Sequence, residues 1–161
     1  MGRGLLPAHE ADLWHTLEAS FRKQVELLVN LGAVYLKPHG ELYNAAAQRP
    51  EVAELVAGLL EHFKIPLLGL RGTLHEEIAK QAGVDLLSEG FADRAYDEKG
   101  LLVPRSVPGA VISSPVSVVE NALSLAQRVD SICIHGDTEG GLNLIRDVHN
   151  ALESAGYTVT A

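Results

Sequence analysis

The chain of 161 residues carries a single cysteine, Cys133, so no internal disulfide can form. That composition fits a reducing compartment. Positive charge is also scarce: 13 Lys+Arg stand against 21 Asp+Glu, a formal net charge of −8, and no Lys/Arg cluster occurs. This removes the electrostatic term on which nucleic-acid binding depends and disfavours anionic membrane surfaces. No stretch approaches the ~20 consecutive apolar residues that a membrane span requires. The apolar pair Leu5–Leu6 is broken by Pro7, His9 and Glu10, so no secretory leader is expected. Leu6 occupies the position where an N-terminal acylation signal wants Ser or Thr. We expect a soluble, cytoplasmic protein. A Walker-type Gly-Lys-Ser/Thr loop is missing as well, which argues against autonomous ATP hydrolysis.

With 47% hydrophobic residues, the chain has the make-up of one ordinary globular domain. A domain of this size buries roughly 70% of the surface its unfolded chain exposes. From Ala11 to Leu31 the apolar residues Leu13, Leu17, Phe21, Val25 and Leu28 fall on one helical face, and Gly32 ends the run. Ala33 to Lys37 reads as a short buried strand closed by Pro38 and Gly40. A second helix is striped by Val52, Leu55, Val56, Leu59, Leu60 and Phe63.

Ile65 to Leu70 is the next strand, and Leu74, Ile78 and Ala82 return to helical spacing. Val84 to Leu87 is a third strand with Glu89-Gly90-Phe91-Ala92 as its exit, and Asp93 to Gly109 is a long irregular stretch. Loops of that length inside compact domains are usually functional or disordered. Ser114-Pro115 pairs an N-cap with proline at the first helical position, ahead of Val118, Val119, Ala122, Leu123 and Ala126. Ser131 to His135 is a fourth strand. Leu142, Ile145, Val148 and Leu152 stripe a last helix ended by Gly156, and Tyr157 to Thr160 reads as a closing strand. Strands alternating with helices predict an α/β fold with a parallel sheet. Four or five such units are about half of a complete barrel of ~250 residues, so a partial β/α barrel or a small open sheet is expected.

In parallel α/β folds, ligands bind beyond the carboxyl ends of the strands. Lys37 and His39 follow the first strand two residues apart, which places both on one side of an extended segment. They form either an acid/base or anion-binding pair or a plain turn around Pro38-Gly40. Glu89, Asp93 and Arg94 follow the third strand and form either a cluster with displaced pKa values or a surface salt-bridge group. His135-Gly136-Asp137-Thr138 runs from a strand into a helix, where backbone N–H groups and the dipole favour an anion. Capping is the simpler role for Thr138. His135 and Asp137 could handle protons or hold a metal, but catalytic metals usually take three protein ligands, and no metal is assigned. Cys133, inside an apolar strand, reads as core rather than nucleophile.

Taken together, three segments resemble the lactam-utilisation (LamB/YcsF) family, which contains the A subunits of 5-oxoprolinases. They are Lys37-Pro38-His39-Gly40-Glu41-Leu42-Tyr43-Asn44; Glu89-Gly90-Phe91-Ala92-Asp93-Arg94-Ala95-Tyr96 with Leu102-Val103-Pro104-Arg105 and Pro108-Gly109-Ala110-Val111; and Cys133-Ile134-His135-Gly136-Asp137-Thr138. The match spans about Gln24 to Gly156 and corresponds to the carboxyl-terminal part of such proteins. Family segments of the type Asn-Cys-Asp-Leu-Gly-Glu, Cys-Gly-Phe-His-Ala-Gly-Asp and His-Pro-Gly do not occur, and Ala95 stands where the family usually has Gly.

The resemblance implies a seven-stranded variant of the β/α barrel of glycoside hydrolases and deacetylases. It implies ATP-dependent opening of 5-oxo-L-proline, or a related lactam, to L-glutamate, with ATP as co-substrate and the B and C subunits as partners. It also implies roles: Lys37 and His39 against the substrate, His135 and Asp137 moving protons, and Asn44, Glu89, Asp93, Arg94 and Arg105 contacting or shaping the pocket. Two other readings remain open, a non-catalytic interaction subunit and a metal-dependent deacetylase-like hydrolase. Without its first strands the sheet has an unpaired edge, so self-association is expected.

Overall fold

The computed structural model describes residues 11–136 and 140–160, with side chains from residue 14 onward. The chain divides between Leu87 and Ser88 into two compact units. The elements are α1 (Ala11–Asn30), α2 (Glu41–Ala46), α3 (Pro50–Phe63), β1 (Leu67–Gly69), α4 (Leu74–Ala82), β2 (Leu86–Phe91), α5 (Pro115–Leu125), β3 (Ser131–Cys133) and α6 (Gly141–Ser154). The strand order is β1-β2-β3. The α/β class and the parallel pairing expected from the sequence are both present. Among the described residues no helix is long and apolar enough to cross a membrane.

In the first unit, α3 starts with Pro50 at a position whose N–H has no helical acceptor anyway. It buries Val52, Val56, Leu59 and Leu60, as its spacing predicts. The core gathers most of these residues with Ala45 and Ala46 of α2, Leu67 of β1, and Ile78, Ala79 and Ala82 of α4. Helix α4 has the limits its sequence signals set. The Thr73 hydroxyl oxygen accepts the His75 N–H at 3.3 Å, and Gly83 at φ 68° supplies the left-handed residue that stops the helix. Burying a large apolar side chain of this kind is worth roughly 1.5–3 kcal/mol.

Two readings of this unit need correction. The run Ala33–Lys37 is not a buried strand. Only Leu36 bridges to β1, through Leu36 N–H to Pro66 O and Leu68 N–H to Leu36 O, both at 2.8 Å, while Val34 is 70% exposed. The stripe of α1 is buried at Val25, but Leu28 is exposed along with Leu27 and Leu31, because nothing among the described residues packs over its last turn; Leu13 lies outside the described side chains. Residues 41–46, given no element from the sequence, form the short helix α2.

In the second unit, β2 pairs with β3 in parallel, with Glu89 opposite Ser131, Gly90 opposite Ile132 and Phe91 opposite Cys133. Helix α5 makes the crossover, and the Ser114 hydroxyl oxygen accepts the Ser117 N–H at its start. Ala92, Val118, Ala122, Val148 and Leu152 form the core. Leu125 packs closely on Gly90, where a Cβ would lie 2.6 Å from Leu125 Cδ2 and force that side chain to shift.

Further corrections concern the strand limits. β2 runs to Phe91, so Glu89 lies inside the strand instead of after it. The stretch after Asp93 is ordered by antiparallel bridges, Arg94 with Val111 and Tyr96 with Leu102. Tyr157–Thr160 forms no strand, and on α6 Leu142 and Ile145 are exposed while Val148 and Leu152 are buried. Thr138 lies outside the described residues, and the residue preceding α6 is Gly140.

A side-chain clamp joins the start of this sheet. Asp130 Oδ2 accepts both the Ser88 N–H at 2.7 Å and the Ser88 hydroxyl at 2.6 Å, and the Asp130 N–H returns a bond to Ser88 Oγ at 3.1 Å. Asp130→Ala deprives two buried donors of their acceptor and is expected to destabilise the protein by about 1–3 kcal/mol. Urea unfolding of the two chains measures this, and an unchanged midpoint would show that the clamp adds nothing.

Candidate functional site

The parallel register of β2 and β3 builds the site. Phe91 stands opposite Cys133, so Asp93 and His135, each two residues further on, emerge side by side beyond the carboxyl ends of the strands. The His135 N–H donates to Asp93 Oδ2 at 2.9 Å, and its ring Nδ1 lies 2.9 Å from Oδ2 and 3.1 Å from Oδ1. A carboxylate only accepts, so Nδ1 carries the proton and the lone pair of the neutral ring sits on Nε2. Asp93 is 3% exposed and the His135 side chain 27%. The pair is therefore a carboxylate held dry beneath an imidazole that meets solvent. Phe91 stacks on the imidazole, with ring centroids 5.8 Å apart and an interplanar angle of 22°.

Around this pair the segment 92–112 is pinned from within. Arg94 is buried and donates from Nη2 to Val103 O at 2.6 Å and from Nε to Ala110 O at 3.2 Å. Burial, and after it the charge of Arg105, lower the guanidinium pKa, while Asp93 raises it. Arg105 itself is exposed. The Tyr96 phenol oxygen accepts the Phe91 N–H at 2.6 Å. Burial pushes that phenol up, with the charge of Glu89 adding to the rise. Glu89 is buried, and Cys133 is half-buried in β3, near enough to Arg94 and Tyr96 to affect both. Asp93 also lines a cavity of about 220 Å³, together with Ser113, Pro115, Gly140, Asn143 and Asp147 among others.

The first unit holds a separate cluster. The Lys37 ammonium lies 5.9 Å from the centroid of the Tyr43 ring, at the outer reach of a cation–π contact. Tyr43 meets the edge of His75 at 4.8 Å. His75 is fully buried, and its Nδ1 accepts the Leu70 N–H at 3.1 Å, which leaves the ring proton on Nε2. Burial lowers its pKa to about 4, with the Tyr43 backbone carbonyl acting in the opposite direction. Gly69 is the residue that lets this ring in, since a Cβ there would stand 2.8 Å from Nδ1.

Of the residues singled out from the sequence, Asp93, His135, Arg94 and Glu89 thus gather in the second unit, with Arg105 within electrostatic reach of Arg94. In the first unit Lys37 faces Tyr43, while His39 is exposed and Asn44 half-buried. Asp137 lies outside the described residues. Sequence reasoning passed over His75, Phe91 and Tyr96. His75 could have been found from its spacing, since positions 75, 78, 79 and 82 share the buried face of α4. Among the described residues no three His, Cys, Asp or Glu side chains come together as a metal-binding group.

A parallel α/β sheet with an Asp–His pair at its strand ends defines a candidate acid/base site of the α/β class. Residues 15–161 match the model of the LamB/YcsF family. The chain is 41% identical over 143 residues to a protein of Streptomyces avermitilis named as the A subunit of 5-oxoprolinase, covering 79% of this chain and 57% of that protein. Proteins of the same name from Limosilactobacillus fermentum and Thermus thermophilus are each 38% identical over the same shares. A crystal structure of a lactam utilization protein from Thermus thermophilus superposes with a TM-score of 0.77 at 30% identity, over 99% of this chain and 70% of that one. The chain belongs to the LamB/YcsF family. It spans 57% of the length of these curated relatives.

Proposed function

We propose that this chain is the A-type component of a 5-oxoprolinase, opening the lactam of 5-oxo-L-proline, or a related cyclic amide, to L-glutamate. The observation that carries the reading is the buried Asp93 carboxylate bonded to Nδ1 of a partly exposed His135. Three relatives of the same family carry the name of that enzyme.

Opening a lactam requires a base for water, a donor for the oxyanion and an acid for the leaving nitrogen. His135 Nε2 takes a proton from water as the water oxygen bonds to the carbonyl carbon, and Asp93 stabilises the imidazolium that results. As the C–N bond breaks, the same ring returns the proton to the nitrogen. Arg105, exposed and within electrostatic reach of Arg94, supplies a planar cationic fork for a carboxylate or oxyanion. With no phosphate loop in the sequence, we assign ATP to the B and C partner subunits. We also take the three-stranded sheet as part of a seven-stranded barrel.

The test mixes the purified chain with candidate partner subunits, ATP and 5-oxo-L-proline and follows glutamate release, with His135→Ala as control. Turnover abolished by the substitution is the expected result. No turnover from a folded chain with competent partners would favour a non-catalytic, partner-binding role.

A further inference from the structure

Resting on the Asp93–His135 reading, we propose that Tyr96 is a positioning residue that sets the His135 ring through Phe91. The carboxylate of Asp93 holds the imidazole at one nitrogen. A bond of that kind fixes the tautomer but leaves the ring free to tilt about it. The tilt is limited by the face contact with Phe91, whose side chain is buried and nearly parallel to the imidazole.

Phe91 is the last residue of β2, where ladder bonding gives out. The next amide, Ala92 N–H, bonds Cys133 O at 3.1 Å, so alternation along the strand sends the Phe91 N–H to the opposite side. There the acceptor is a side chain, the Tyr96 phenol oxygen at 2.6 Å. Tyr96 is in turn fixed by its bridge to Leu102 and by the Arg94 guanidinium, which ties the same excursion to Val103 O and Ala110 O. The excursion that carries Asp93 thus also supplies the residue that seats the opposing ring. The pinned segment constrains His135 at its edge directly, through Asp93, and on its face by way of Phe91.

The experiment records the imidazole ¹⁵N signals of the full chain in the wild type, Tyr96→Phe, Phe91→Leu and Asp93→Asn, together with hydrogen exchange at the Phe91 amide. Tyr96→Phe keeps the ring and removes the acceptor. Exchange at Phe91 is expected to rise about tenfold, the equivalent of one lost hydrogen bond, and the single Nδ1–H pattern of His135 to broaden or split. Phe91→Leu leaves the phenol in place and is expected to disturb the same signals. In the activity assay, Tyr96→Phe is expected to lower kcat with little change in KM. A His135 pattern identical to the wild type in both Tyr96→Phe and Phe91→Leu, but altered in Asp93→Asn, overturns the positioning role and leaves the Asp–His pair standing. A pattern unaltered in all three overturns the pair as well.

Discussion

Asp93→Asn is expected to lower glutamate release by about a hundredfold or more, the usual contribution of a positioned general base, while the chain stays folded. The substitution keeps size and shape. The amide oxygen can still accept the His135 backbone N–H that Asp93 Oδ2 now takes at 2.9 Å. Oδ2 also takes the Nδ1–H, at 2.9 Å, but the Oδ1 position, 3.1 Å from Nδ1, becomes an NH₂ donor. That donor opposes the Nδ1 proton and favours the tautomer with the proton on Nε2, the nitrogen that has to be unprotonated to take a proton from water. Loss of the carboxylate also removes the charge that favours the imidazolium during the reaction. Because the side chain is nearly inaccessible to water, solvent does not readily substitute for either effect. The folded state should lose only about 1–3 kcal/mol, the cost of a mismatched buried polar contact. Steady-state kinetics with a parallel unfolding curve separates the two. A variant that keeps more than half of its kcat would remove Asp93 and His135 from the chemistry.

The residues of this pair were legible in the sequence, but their pairing was not. Asp93 and His135 each stood out as polar residues beyond an apolar run, yet they are 42 positions apart. They meet only because β2 and β3 align Phe91 with Cys133, and nothing local in either segment encodes that register. Local signals served well where a helix is bounded by its own chemistry. Thr73 and Gly83 enclose α4, and Ser114-Pro115 opens α5. They failed where tertiary packing decides. Residues 89–92 read as the exit of the third strand, but β2 continues through Gly90, against which Leu125 packs, and Glu89 lies inside the strand. Val34 and Tyr35 have strand propensity, but among the described residues this run forms one bridge, at Leu36. Tyr96 was missed for a related reason: its role depends on one amide at a strand end, a feature with no periodicity of its own.

Acidification through the range between pH 6.5 and 4 is expected to cost the wild-type protein about 3 kcal/mol that His75→Gln does not lose. His75 has the ordinary value of 6.5 when unfolded and about 4 in the folded chain, lowered chiefly by burial. Above pH 6.5 the ring is neutral in both states and its contribution is fully present. As the pH falls, the unfolded chain binds a proton that the folded chain refuses, so stability declines until the folded ring itself titrates near pH 4. The geometry explains the refusal. Nδ1 already accepts the Leu70 N–H, so protonation there would set two donors against each other. The ring is fully buried, with the Tyr43 ring 4.8 Å away and Gly69 close against it, so bulk water does not solvate a charge there. Glutamine keeps an acceptor for the Leu70 amide but does not titrate, so its stability should follow only the titratable groups that both proteins share. The comparison is therefore between two slopes, measured by urea unfolding at several pH values from about 7 to about 4. A common slope would mean that His75 is charged in the folded chain, and the neutral assignment of this buried ring would fall.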